Sequence, residues 1–324
     1  LCDLVELLGV GVGHLKELLP QLPVLGVQGE DLLLVRDLEL VTLALELLLI
    51  VVDADLVEGV RASLSPDQFG GWLAALPHGP GRVIRAHTEG AIRELEAEVG
   101  PLPPLPESDA TQIRAIPSDQ LEAAKAWPGF QDGRAWMHTP GSVRVAPALA
   151  PQPGDRVLDL CAAPGSKAGH LAWLMRQQGE LVVNELSRNR AQRLQRNLKL
   201  MNIVATVLTG PGESLGRRLG PTFDRVLVDV PCSGTGRVWL GDPRTWGEWS
   251  VRAVKRLAKL QRMLLHSGIA ALKPGGTLLY STCSLLQEEN EAVLAKIPGN
   301  VTVEWTRRFT PEPAVPVIEE GFFL

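Results

Sequence analysis

The chain has 324 residues, of which 45% are hydrophobic and 21% charged. That balance allows two globular domains and excludes a wholly disordered, collagen-like or membrane-embedded chain. The net charge of −5 is uneven: residues 1–60 hold 2 Lys+Arg against 11 Asp+Glu, a balance of −9, so the remainder carries −5 + 9 = +4. An acidic N-terminal segment thus precedes a mildly basic body that has room for a nucleic-acid surface. Cys2, Cys161, Cys232 and Cys283 lie far apart and form no CxxC pair. This argues against a disulfide scaffold or a cysteine-based zinc site, and for a reducing, cytoplasmic setting with no metal.

Residues 1–60 read as an acidic segment with no assignable role. The apolar stretch 31–52 is broken by Arg36, Asp37, Glu39 and Glu46, whereas a spanning helix needs ~20 nearly uncharged residues. Neither a membrane segment nor a signal peptide is expected. The chain opens on Leu1 and stops inside the apolar run 321–324, so missing natural ends are expected.

Residues 61–125 read as a small α+β module. Ser65 caps and Pro66 opens an amphipathic helix over 64–76, with Phe69, Trp72, Leu73 and Leu76 on one face. A strand follows at 82–85, a helix at 88–99 and a Pro-rich linker at 101–106.

From 126 to 324 strands and helices alternate. Strands are expected at 156–160, 181–185, 204–208, 223–230 and 277–281, and helices at 168–178, 188–201 and 250–272. The alternation predicts an α/β fold with a doubly wound, mostly parallel, Rossmann-like sheet. Segments 301–306 and 321–324 could add a terminal hairpin.

Three motifs end strands at one edge of that sheet. In Val157-Leu158-Asp159-Leu160-Cys161-Ala162-Ala163-Pro164-Gly165-Ser166-Lys167, an apolar strand ends in an acid, passes through small residues and opens a helix. Small residues admit a ligand to the backbone, and the helix start offers free N–H groups. Neither GxGxxG nor a Walker motif is present, which disfavours NAD and ATP. Glu185 ends the next strand, where an acid binds ribose hydroxyls. The second motif is Asp229-Val230-Pro231-Cys232-Ser233-Gly234-Thr235-Gly236, and the third is Tyr280-Ser281-Thr282-Cys283-Ser284. A lone cysteine is usually inert and buried. Two of them beside Asp229 and Lys167, on the nucleotide edge, point instead to nucleophilic catalysis.

Together the three motifs resemble the S-adenosylmethionine-dependent RNA (cytosine-5) methyltransferases, the bacterial rRNA and NSUN-type group. The resemblance runs over 64–324 and is strongest over 150–290. Gly165-Ser166-Lys167 is similar to the branch acting on the small ribosomal subunit. The resemblance implies S-adenosylmethionine held by Cys161, Ala162, Ala163, Pro164, Gly165, Ser166, Lys167, Glu185 and Asp229. It implies that Cys283 attacks carbon 6 of a cytosine, that Cys232 assists release, that Asp229 holds the base and that Lys167 sits near it. DNA cytosine-5 enzymes take their nucleophile from the PC motif instead. One departure stands out: the family's adenine-binding Asp is missing from Thr209-Gly210-Pro211-Gly212-Glu213, so Glu213 substitutes or the contact is lost.

The expected partner is RNA, with rRNA ahead of tRNA, and the expected state is a monomer. Arg252, Lys255, Arg256, Lys259 and Arg262 recur on one helical face, and Arg188, Arg190, Arg193 and Arg196 crowd another. Such faces neutralise phosphates or are merely solvated. Trp239, Trp246 and Trp249 pack or stack on bases. The 82–120 stretch resembles the family's RNA-binding module. Two other readings stand beside the enzyme: a non-catalytic ribosome-assembly factor that kept the fold, and a small-molecule methyltransferase. The paired cysteines argue against both.

Overall fold

The computed structural model describes residues 52–76, 81–105, 111–304, 307–308 and 322–323. The acidic segment 1–51 lies outside them.

Among the described residues two helices come first, α1 (Ala54–Ser63) and α2 (Pro66–Ala75). Asp53 caps α1, and a full Ser65/Gln68 capping box starts α2 with Pro66 in its first turn. A three-stranded antiparallel sheet follows, ordered β2-β1-β3, from β1 (Arg82–Ala86), β2 (Ile113–Ile116) and β3 (Ala135–His138). Helices α3 (Glu89–Val99) and α4 (Leu121–Ala126) belong to this module. Ile84, Ile92, Leu95 and Trp127 form its core.

This division differs from the predicted one at both ends. The small sheet takes its third strand from 135–138, beyond the expected boundary at 125, because β3 pairs along β1 from Val83↔His138 to Ala86↔Ala135. At the other end, α1 and α2 pack elsewhere. Phe69, Trp72 and Leu76 bury against Val238, Leu240, Val254, Leu285 and Leu286, beneath the two cysteine loops.

The main sheet has the order β6-β5-β4-β7-β8-β10-β9. Its parallel strands are β4 (Arg156–Asp159), β5 (Glu180–Glu185), β6 (Thr206–Thr209), β7 (Phe223–Asp229) and β8 (Leu272–Ser281). Strands β9 (Arg307–Arg308) and β10 (Phe322–Phe323) add an antiparallel edge. That hairpin starts later than the predicted 301–306, since 301–304 make no ladder.

Both sheet faces are covered, as the near-continuous apolar strands demand. Val157, Leu181, Val183, Leu227 and Leu279 pack under α5 (Pro140–Leu149), α6 (Ser166–Leu174) and α7 (Arg188–Leu200). Leu158, Val182, Val226, Val228 and Tyr280 pack under α8 (Leu215–Leu219), α9 (Val251–Ala271) and α10 (Glu291–Leu294). This alternation is the period-two geometry of strands. It yields a doubly wound, Rossmann-like sheet, as the sequence predicts.

Candidate active site

A cleft of about 760 Å³ opens at the carboxyl ends of β4, β5, β7 and β8. Open α/β sheets bind ligands at this edge, and the volume falls in the range of cofactor pockets, ~300–1,000 Å³. Cys161, Ala163, Pro164, Ser166, Lys167, Glu185, Asp229, Cys232 and Cys283 all line it. Two predicted residues stand behind the wall instead. Ala162 is buried in the core, its N–H bonded to the Asn184 carbonyl at 2.9 Å. Gly165 makes the turn into α6 at φ 110°, and a Cβ there would meet the Leu194 side chain at 2.9 Å. Only glycine adopts that backbone without strain. No side chain caps α6, which leaves the amide-rich start of the helix beside the loop.

Glu185 is only 3% exposed. Its carboxylate accepts the Ser187 N–H at 2.9 Å and pairs with Arg190 at 3.3 Å. Arg190 also donates to the Ala163 carbonyl at 3.1 Å, tying the acid to the 159–167 loop. Asp159 is buried just behind that loop. One of its oxygens accepts the Cys161 N–H at 3.2 Å, and the other finds no partner among the described residues. Burial first, then the charge of Asp229, pushes this carboxyl up to about 7. Burial, then the charge of Asp159, pushes the Cys161 thiol far above its ordinary range, so Cys161 is an inert wall residue.

The two cysteines and the Lys167–Asp229 pair also line the cleft. Lys167 Nζ is 2.8 Å from Asp229 Oδ2, with both side chains half-buried, and the Ser281 hydroxyl donates to Asp229 Oδ1 at 2.6 Å. The sulfurs of Cys232 and Cys283 are 2.8 Å apart and are not joined as a disulfide. Residues from three strand ends, β4, β7 and β8, thus meet as their register dictates: β7 and β8 pair up to Asp229↔Ser281, which sets the following loops side by side.

The sequence profile of the family described as 16S rRNA methyltransferase RsmB/F matches residues 146–308, half of the chain. The chain belongs to that family. It is 38% identical over 194 residues to the 26S rRNA (cytosine-C(5))-methyltransferase nsun-1 of Caenorhabditis elegans, a match covering 58% of this chain and 29% of that protein. It is 41% identical over 173 residues to ribosomal RNA small subunit methyltransferase F of Vibrio cholerae, covering 52% of this chain and 36% of that one. With ribosomal RNA small subunit methyltransferase B of Enterobacter it shares 36% identity over 208 residues, covering 61% and 48%. The matched region thus spans from under a third to about half of these relatives' length. Among solved structures, a methyltransferase homolog from Pyrococcus horikoshii superposes with a TM-score of 0.69 at 24% identity, covering 86% of this chain and 96% of that one. NSun6 from the same organism, solved with SFG, gives 0.67 at 20% identity, covering 84% and 97%. Both share the fold.

This RsmB/F-family cleft also draws on residues outside the three sequence motifs. Asn184 donates to the carbonyls of Leu160 and Gly210, both at 3.1 Å, and so links the loops after β4 and β6. Gly212 and Glu213, in the stretch that lacks the family's Asp, line the cleft wall. A Cβ on Gly212 would crowd Leu264 at 2.9 Å and the Leu160 carbonyl at 3.3 Å, so the loop approaches the sheet closely. Arg82, Met137 and His138 bring the small module into the same cleft. Behind them Arg85 is fully buried, its Nε 3.4 Å from His138, and His138 meets His170 edge to face. Burial lowers the Arg85 guanidinium to about 10, and burial followed by the Arg85 charge drives His138 well below its usual range. His138 is therefore neutral near pH 7.

Of the basic faces, Arg252, Lys255, Arg256 and Lys259 are exposed and Arg262 is half-buried. Helix α7 buries Ala191, Leu194 and Leu198 against the sheet and exposes Arg188, Arg190, Arg193 and Arg196. Trp246 and Trp249 pack partly into the cluster beneath the cysteine loops. Among the described residues no helix is long and apolar enough to cross a membrane.

Proposed function

We propose that this protein transfers a methyl group from S-adenosylmethionine to carbon 5 of a cytosine in small-subunit rRNA, through a covalent adduct on Cys283. The observation that carries this reading is the meeting of the Cys232 and Cys283 sulfurs beside the Lys167–Asp229 pair, on the cleft walled by the 159–167 loop. The names of the relatives support rRNA as substrate, and a cytoplasmic setting goes with it.

The cleft fits the cofactor in size and in its donors. Glu185 would hold the ribose hydroxyls, steadied by Ser187 and Arg190. Cys161, Ala163 and Pro164 would offer backbone contacts, and Glu213 stands where an adenine amine could be met. When bound, S-adenosylmethionine supplies an electrophilic methyl group on a sulfonium.

Carbon 5 of cytosine is a poor nucleophile. Addition of the Cys283 thiolate to carbon 6 forms a C–S bond and pushes an electron pair toward carbon 5, which can then form its bond to the methyl group. Loss of the carbon 5 proton then expels the thiolate and restores the ring. Asp229 would accept from the exocyclic amine of the base, with Ser281 and Lys167 holding its carboxylate in place. Cys232 would assist the release. Such covalent catalysis divides the reaction into formation and breakdown, and each half can be blocked alone.

The test separates the two cysteines. Cys283→Ala is expected to abolish methylation and any adduct. Cys232→Ala is expected to attack and transfer but release poorly, leaving a denaturation-resistant protein–RNA band. The reverse pattern would swap the roles. No adduct in either variant, and no methylation by the unmodified protein, would favour the assembly-factor reading.

A further inference from the structure

A buried polar network lies behind the two cysteine loops, and the reaction described above leaves it unused. Its centre is Glu289, which is fully buried in the short turn after Leu286. One carboxylate oxygen accepts the Ser233 N–H at 2.9 Å and the Gln261 side-chain amide at 2.8 Å. The other accepts the Ser233 hydroxyl. Three donors on two oxygens make Glu289 an acceptor only, as a carboxylate is. Gln261 also donates to the Pro231 carbonyl at 2.9 Å, and the Tyr280 hydroxyl donates to the Glu289 carbonyl at 2.7 Å. Pro231 and Ser233 flank Cys232. The loop that carries Cys232 is therefore held from both sides of the cysteine by Glu289 and its partner Gln261.

We propose that Glu289 is a positioning residue that decides which cysteine attacks: its carboxylate locks the Cys232 loop against the Cys283 loop and sets a negative charge behind Cys232, reserving the nucleophile's role for Cys283. The inference rests on the catalytic pair assigned above. The charged and titratable groups around Cys232 are Cys283, Glu289, Tyr280, and Asp229 with its partner Lys167. Tyr280 is buried and its hydroxyl is pushed far up, by burial first, so it stays neutral. The hydrogen bond to Cys283, then burial, then the charges of Cys283 and Glu289, raise the Cys232 thiol well above its ordinary range. The Cys283 N–H, 3.2 Å from the Cys232 sulfur, acts in the opposite sense and is the weakest of these influences. Cys232 thus stays a thiol 2.8 Å from the Cys283 sulfur, close enough for its proton to stabilise a thiolate there.

The test needs no RNA, so it stands or falls apart from the methyl-transfer reading. In a Cys283→Ala background, alkylation of Cys232 by iodoacetamide is followed against pH by peptide mass spectrometry. Adding Glu289→Gln removes the charge and keeps the shape, and the midpoint is expected to fall by about one pH unit, the effect of one nearby like charge. Adding Ser233→Ala removes one donor from the carboxylate and leaves its charge less screened, so the midpoint is expected to rise. A merely structural role would not move the two in opposite directions. Where Glu289→Gln keeps a cooperative melting transition, an unmoved or raised midpoint overturns the proposal. Where it does not fold, Ser233→Ala decides: a raised midpoint supports the proposal, and an unmoved or lowered one overturns it.

Discussion

Asp159 makes the stability of this chain depend on pH. Its carboxyl titrates at about 7 in the fold, through burial first and the Asp229 charge second, against ~3.9 when unfolded. Between these values the folded chain holds a proton that the unfolded chain has lost, so stability falls as pH rises through the window. The loss is complete above the folded value and is on the order of 4 kcal/mol at most. Asp159→Asn removes it. The variant's melting temperature is expected to gain on the parent's as pH goes from 4.5 to 8; a constant offset would contradict this. Glu185 gives a second prediction. Hydrogen bonds to a charged group contribute ~1.5–3 kcal/mol, so Glu185→Ala should weaken S-adenosylmethionine binding by at least ~10-fold. Calorimetry showing unchanged affinity would reject the ribose assignment. At this scale the motif residues were legible because each ends an apolar strand. Asn184 and Glu289 were not, and Arg190 was legible only as part of a basic face, since each acts through partners brought near only by the fold: Asn184 reaches Leu160, Arg190 reaches Ala163, and Glu289 reaches Ser233 across 56 positions.

Among the elements, α2 gives the clearest prediction. Trp72 on this helix is buried and donates from its indole to the Thr235 carbonyl at 3.1 Å, while the Thr235 hydroxyl accepts the Leu285 N–H at 2.9 Å. The helix thereby braces the loops after both cysteines. Trp72→Phe keeps one aromatic ring but loses the hydrogen bond and the pyrrole half of the indole, so a cost of at least about 1 kcal/mol is expected. Trp72→Ala should cost ~3–5 kcal/mol. A Trp72→Phe variant with the parent's denaturation midpoint would contradict the role of the indole N–H. The sequence told the start, cap and apolar face of α2 correctly, but not what that face meets, because Val238 and Leu286 lie far along the chain. The five parallel strands were legible as apolar runs. The four-residue β2 and β3 were missed: Ile113–Ile116 carries an arginine and Ala135–His138 has mixed polarity, so pairing with β1 rather than local pattern makes them strands.

Over the whole molecule, the exposed Arg252, Lys255, Arg256 and Lys259 line one side of α9, the long helix that also supplies Gln261 to the Cys232 loop. If this side neutralises RNA phosphates, replacing these four residues with Gln should weaken RNA binding uniformly across sequences. It should also flatten the salt dependence by ~0.7 per lost contact. An unchanged salt slope would make the face a solvated one. The small sheet and the main sheet converge on one cleft, where the paired sulfurs and the buried Glu185 lie. The most direct measurement is therefore chemical. The protein is incubated with S-adenosylmethionine and unmodified small-subunit rRNA, and the RNA is digested to nucleosides for mass spectrometry. New 5-methylcytidine is expected with the unmodified protein and none with Cys283→Ala. Rejection would follow if RNA bound by the unmodified protein carried no 5-methylcytidine, or if Cys283→Ala produced as much as the parent.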